Sequence, residues 1–153
     1  NLPNSYSVIQ PNSKTTYTPN KGWGFEKYQK VVSHFNDILW IQLGTTGDLI
    51  LNDVINYVGE TSLRELAFII KNAEFIIADE GLLNHVASAV KTKSFVLQSG
   101  FSNTDISKYT DTIHIVNNPQ VSCSPCWITS KCPKKIKYCT EQILVNEVIN
   151  ELT

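Results

Sequence analysis

Thr61 to Gly100 reads TSLRELAFIIKNAEFIIADEGLLNHVASAVKTKSFVLQSG, and its changes of period set the architecture. Ser62 followed three residues later by Glu65 is a capping-box signature for a helix start. Leu63, Leu66, Ala67 and Ile70 then mark one helix face at spacings of three and four. Glu74 to Ala78, EFIIA, is a short apolar run of the kind a buried strand shows. Asp79-Glu80-Gly81 ends it, and a short helix follows with Leu82, Leu83, Val86 and Val90 expected to face inward. Ser94 to Gln98 is the next strand, closed by Ser99-Gly100.

Working outward, the same alternation continues. Tyr6 to Gln10 is a strand broken at Pro11, and a polar loop runs from there to Gly24. Phe25, Tyr28, Val32 and Phe35 give a helical period. Ile38 to Leu43 and Val54 to Val58 are strands separated by the turn-rich Gly44-Thr45-Thr46-Gly47-Asp48. Thr112 to Val116 is the last strand, and Glu141 to Leu152 is a closing helix presenting Leu144, Val145, Val148, Ile149 and Leu152. Strands alternating with helices predict an α/β domain: a Rossmann-like, doubly wound, mostly parallel sheet with helices on both faces. The expected organisation is one domain over 1–153, with a core at 1–118, a Cys-rich loop at 119–140 and the closing helix at 141–153. Ligands of such sheets sit beyond the carboxyl ends of the strands. The segments to search are therefore 11–24, 44–48, 59–62, 79–85 and 99–105.

Composition narrows the function. At 153 residues the chain is of single-domain size, and 42% hydrophobic against 18% charged residues is a globular balance. A formal net charge of -1 demands no nucleic-acid partner. No apolar run approaches the roughly 20 residues of a membrane helix, and the first residues lack a signal-peptide pattern. The expected location is cytoplasmic, with at most peripheral membrane contact. No Ser nucleophile elbow, Walker loop or paired-carboxylate hydrolase motif is present.

The chemistry-bearing residues have a functional and a plain reading. Gly81 before a helix N-terminus suits an anion, because the first amides of a helix are unpaired and carry partial positive charge. His85, one turn in, can donate to a phosphate or a sugar hydroxyl. The plain alternative is a strand-to-helix turn and a structural histidine. Lys21 can neutralise a diphosphate oxygen, with Asn12 and Ser13 as neutral donors in the same loop. The alternative is a solvated surface lysine. Asp48, in a turn-rich loop, has the plain reading of a turn cap. Cys123, Cys126, Cys132 and Cys139 are the only cysteines, clustered near the C-terminus. Cys123-x-x-Cys126 has the spacing of a metal knuckle, so four thiolates holding a structural Zn or Fe stand beside free thiols and disulfides.

Taken together, Thr61–Gly100, the tail Cys123-Ser124-Pro125-Cys126-Trp127 with Cys132-Pro133 and Cys139, and Lys21-Gly22-Trp23 after the first strand resemble the family 9 glycosyltransferases, the heptosyltransferase-like group. The resemblance spans nearly the whole chain. It implies the C-terminal, donor-binding domain of a GT-B enzyme that takes a nucleotide-diphosphate sugar, commonly ADP-heptose, and transfers it to a lipopolysaccharide, glycan or protein acceptor. It implies a missing N-terminal acceptor domain carrying the catalytic base, so this chain alone is expected to be inactive, with no cofactor required for catalysis. It matches Lys21 to a Lys-x-Trp motif and Asp48 to a nucleoside-subsite acid. Glu80, five residues before His85, matches the acid of an acidic-Gly-His loop, with Asp79 as the alternative if the loop is one residue longer. Leu82 stands where the family commonly has a second glycine. The competing expectation is a non-catalytic sugar-nucleotide-binding or assembly module whose Cys cluster holds a structural metal.

Overall fold

The computed structural model describes residues 2–12 and 14–153. Its elements are β1 (Ser7–Gln10), α1 (Phe25–His34), β2 (Trp40–Gly44), β3 (Ile55–Val58), α2 (Leu63–Lys71), β4 (Ile76–Asp79), α3 (Leu82–Val90), β5 (Ser94–Gln98), a 3-10 turn (Thr104–Ser107), β6 (Thr112–Val116), α4 (Tyr138–Glu141) and α5 (Val145–Leu152). The six strands form one sheet in the order β3-β2-β1-β4-β5-β6, and every pairing is parallel. This is the expected doubly wound Rossmann-like α/β fold.

The two-residue period of the strands builds a core on each face. Ile9, Ile77, Phe95 and Leu97 point to the side covered by Tyr28, Val31 and Val32 of α1 and Val148 of α5. Val8, Ile41, Ile76 and Ala78 point to the opposite side, under Leu66, Ile69 and Ile70 of α2 and Leu83 and Ala87 of α3. Burial on both faces is why these strands read as continuous apolar runs rather than alternating ones.

The capping box is present: the Ser62 hydroxyl accepts from the Glu65 amide at 3.3 Å, and Glu65 Oε2 accepts from the Ser62 amide at 2.8 Å. Ser62→Ala is expected to cost about 1 kcal/mol, read as a shifted urea midpoint at unchanged slope.

Three expectations are corrected. Leu63 and Leu82 are exposed rather than inward, at 61% and 57%. On α3 the inward place goes to Asn84, whose Oδ1 accepts from the Ser94 and Thr112 hydroxyls at 3.2 and 3.1 Å and whose Nδ2 donates to the Ser107 carbonyl at 3.2 Å. The closing helix is split into α4 and α5. Between them Ile143 is fully buried, and its carbonyl accepts from Trp23 Nε1 at 2.9 Å. Glu147 Oε2 then accepts from the Leu144 amide at 2.8 Å, starting α5 afresh and leaving Leu144 itself outside.

Candidate functional site

Strand order reverses between β1 and β4, so the segments leaving their carboxyl ends diverge and open a crevice. One wall is the loop from Pro11 to Gly24 and the other is the Glu80-Gly81 turn into α3. The structure joins these walls through Lys21 and Glu80. Lys21 Nζ lies 2.6 Å from Glu80 Oε2, with the side chains 18% and 5% exposed. The Ser102 hydroxyl, from the segment after β5, donates to the same Glu80 oxygen at 3.3 Å. An ammonium has three donors and Glu80 engages one, so Lys21 is held in place with donors to spare.

Gly81 leads directly into α3 with no side-chain cap. Among the described residues, a Cβ placed there would meet only the Asp79 carbonyl oxygen, at 3.9 Å. Space therefore remains beside the first amides of α3, the place where a helix attracts an anion. Exposed His85 follows one turn in, its Nδ1 2.8 Å from the Tyr109 hydroxyl. Tyr109, which no local pattern marks, thus belongs to the same rim.

Asp79 holds the Lys21 loop against the sheet. Its Oδ1 accepts from the Trp23 amide at 3.0 Å and from the Tyr28 hydroxyl at 2.9 Å, while Oδ2 is buried without a partner among the described residues. Trp23 is further fixed through Ile143, and Lys137 Nζ donates to the Gly22 carbonyl at 2.9 Å. Burial pushes the Asp79 carboxyl up to about 7, outweighing the two hydrogen bonds and the Lys137 charge that favour ionisation. Burial and the Asp79 charge raise Tyr28 as well. The signal available in sequence was the position itself: the last residue of a wholly buried strand, next to the loop a ligand would use.

The remaining candidates are spread around this crevice. Asn12 Nδ2 donates to the Leu49 carbonyl at 3.0 Å, tying the loop after β1 to the loop after β2. Asp48 Oδ2 accepts from the Thr45 amide at 2.8 Å, which closes its own turn. Ser13 lies outside the described residues. A depression of about 900 Å³ lies elsewhere: a groove along α2 lined by Tyr57, Glu60, Arg64 and Phe68, among others. It contains none of the residues that converge between β1 and β4. His114 is half buried, its Nε2 3.2 Å from the Ser107 carbonyl, and burial lowers its pKa.

Cys123, Cys126, Cys132 and Cys139 all line one apolar cavity of about 60 Å³, and all four are free thiols. Burial raises the Cys139 thiol. The donor set suits Zn or Fe, yet among the described residues no group of three or more Cys, His, Asp or Glu side chains is close enough together to hold a metal ion. Among the same residues no helix is long and apolar enough to cross a membrane.

Comparison with known proteins places the chain. ADP-heptose lipopolysaccharide heptosyltransferase II of E. coli superposes with a TM-score of 0.75 at 17% identity, over 97% of this chain and 45% of that one. The iron-containing dodecameric glycosyltransferase TibC from enterotoxigenic E. coli gives 0.75 at 20% identity, over 99% and 45%. A family 9 glycosyltransferase from Veillonella parvula gives 0.71 at 16% identity, over 95% and 44%. At these identities the likeness establishes the fold, and the chain spans less than half the length of each. No curated protein sequence matches. The model of "Glycosyltransferase family 9 (heptosyltransferase)" matches residues 47–137, more than half of the sequence, so the chain belongs to glycosyltransferase family 9.

Proposed function

We propose that this chain is the donor-binding half of a GT-B heptosyltransferase and holds the diphosphate of a nucleotide sugar between Lys21 and the start of α3. The observation that carries this reading is the convergence of Lys21, Glu80 and an open Gly81 at the point where strand order reverses. In this role the α3 amides and Lys21 bind the diphosphate and oppose the charge that grows on it as the glycosidic bond breaks. Glu80 orients Lys21, and His85, set by Tyr109, reaches phosphate or sugar. Asn12 and Asp48 border the nucleoside. No active-site metal is needed where these groups supply the positive potential.

TibC has been solved with ADP-D-β-D-heptose, which supports ADP-heptose as the donor here. The acceptor, a lipopolysaccharide, glycan or protein, would be held largely by an N-terminal domain, and the reaction would run on the cytoplasmic side. Calorimetry of the chain with ADP, UDP, GDP and ADP-heptose tests the reading. Binding of ADP and ADP-heptose ahead of UDP and GDP is expected, and a folded chain that binds none of the four contradicts it.

The iron-containing TibC relative and the four thiols round one cavity also support a structural Zn or Fe, which the thiols would have to close in on, since among the described residues no three stand near enough together to hold an ion. Cys123, Cys126, Cys132 and Cys139 would hold it, and it would brace the segment packed on Gly100 and Phe101 rather than take part in transfer. Elemental analysis of natively purified protein should find about one ion per chain. A metal-free sample that melts no lower after chelator treatment rejects the ion.

A further inference from the structure

The two walls of the crevice meet on Asp79, the last residue of β4, which is 3% exposed. Its chain runs straight on into Glu80 and Gly81, the turn that opens α3. Its Oδ1 holds the Trp23 amide, two residues past Lys21, and the Tyr28 hydroxyl of α1. One buried carboxyl therefore fixes both the turn that carries Lys21 and the strand end that carries Glu80. Both bonds fall on one oxygen, and among the described residues Oδ2 has no partner. A bare anionic oxygen in that place is costly, whereas a neutral carboxyl keeps both accepted bonds at lower cost.

Charged groups reach Asp79 from each neighbouring segment. Lys137, itself bonded to the Gly22 carbonyl, favours the ionised form, and Glu80 opposes it. Lys21 stands 2.6 Å from Glu80, and Tyr28 faces Asp79 from α1. Two ammonium groups thus share this corner with two carboxyls. Burial outweighs the other influences and pushes the Asp79 carboxyl up to about 7. A diphosphate set between Lys21 and the α3 amides adds negative charge to the balance, and like charge favours the protonated carboxyl. An ionised Asp79 would also stand beside Glu80 against the charge that grows on the leaving group. A neutral one holds the Trp23 turn without opposing it.

We propose that Asp79 is a positioning residue of the donor site, and that a diphosphate bound between Lys21 and α3 draws a proton from solvent onto its carboxyl. This rests on the donor-site reading above. Below about pH 7 Asp79 is neutral in the free and the bound chain, and the linkage vanishes. Above it the free chain has released the proton and the bound chain regains it, so diphosphate affinity falls as pH rises.

Calorimetry with ADP tests this at pH 6 and pH 8, each in two buffers of different ionisation enthalpy. At pH 8 the parent should take up a fraction of a proton per ADP that Asp79→Asn does not. The amide oxygen of the variant still accepts from Trp23 and Tyr28. Its ADP affinity should therefore lie within three-fold of the parent's at pH 6 and exceed it at least three-fold at pH 8. Protons carried by ADP or by other side chains are common to both proteins and cancel. Equal proton uptake and parallel affinities, with ADP still bound, overturn the proposal and leave the donor site standing. A folded parent that binds no ADP removes both. If Asp79→Asn does not fold, Tyr28→Phe takes its place, because it keeps the carboxyl and removes one bond that favours ionisation. The fall in ADP affinity should then begin at least half a pH unit higher than in the parent, and an unmoved profile overturns the proposal.

Discussion

Asp79→Ala should destabilise the chain by about 3 kcal/mol, because the Trp23 amide and the Tyr28 hydroxyl would each be left buried without an acceptor, at about 1–3 kcal/mol per group. Asp79→Asn separates this loss from the effect of charge, since the amide oxygen can still accept both bonds and cannot ionise. In the folded chain burial pushes Asp79 up to about 7, against an ordinary value of 3.8. Below the lower value both states are protonated. Between the two the unfolded chain has lost its proton and the folded chain keeps it, so the folded state binds more protons and stability falls as pH rises. The fall is about 1.4 kcal/mol per pH unit, or about 4 kcal/mol in all, and levels off above pH 7. Groups common to both proteins cancel in the comparison. Urea unfolding at pH 4.5, 5.5, 6.5 and 7.5 should show the Asn variant gaining on the parent up to pH 7 and running parallel beyond it. Parallel curves throughout would mean that Asp79 is ionised in the fold across the whole range.

Lys21→Met carries the second large effect, and it has two parts. Among the described residues Glu80, 5% exposed, would keep only the Ser102 hydroxyl, and a buried carboxylate stripped of its partner costs about 3–5 kcal/mol. ADP affinity should also fall by about ten- to a hundred-fold, the worth of a charged hydrogen bond to the diphosphate. Lys21→Met/Glu80→Gln distinguishes the two. With no carboxylate left unpaired it should recover most of the stability and none of the ADP affinity. If affinity returns with stability, Lys21 serves the fold alone.

The sheet could be read from sequence because its strands are buried on both faces. EFIIA, Ile38–Leu43 and Ser94–Gln98 each carry a compact apolar signal; the structure moves the ends of the first two by one or two residues and keeps those of the third. Helix faces were less legible where a polar residue took the inward place. Asn84 is invisible to an apolar period, since what buries it is a set of partners on β5, β6 and the 3-10 turn. The break at Ile143 has the same origin, a long-range bond from Trp23 that no window around residue 143 contains. Lys21 and Glu80 were each visible as candidates, but their pairing across 59 residues depends on β1 and β4 being neighbours. Asp79 was seen only as an alternative to Glu80. Its hold on Trp23 and Tyr28 appears once α1 packs over the sheet. Trp127 lay within the tail motif, yet its edge contact with Phe101 comes from backbone bonds of Cys126 and Trp127 to Gly100 and Phe101, 26 residues away.

The claim that matters most is that the start of α3 and Lys21 together bind a diphosphate. Titration of the ¹⁵N-labelled chain with ADP, followed by amide shifts, tests it most directly. The largest changes should fall on Gly81, Leu82, Leu83 and the Lys21-Gly22-Trp23 turn, and they should saturate together. Changes confined to the groove along α2, around Glu60, Arg64 and Phe68, or no changes in a folded chain, would contradict it.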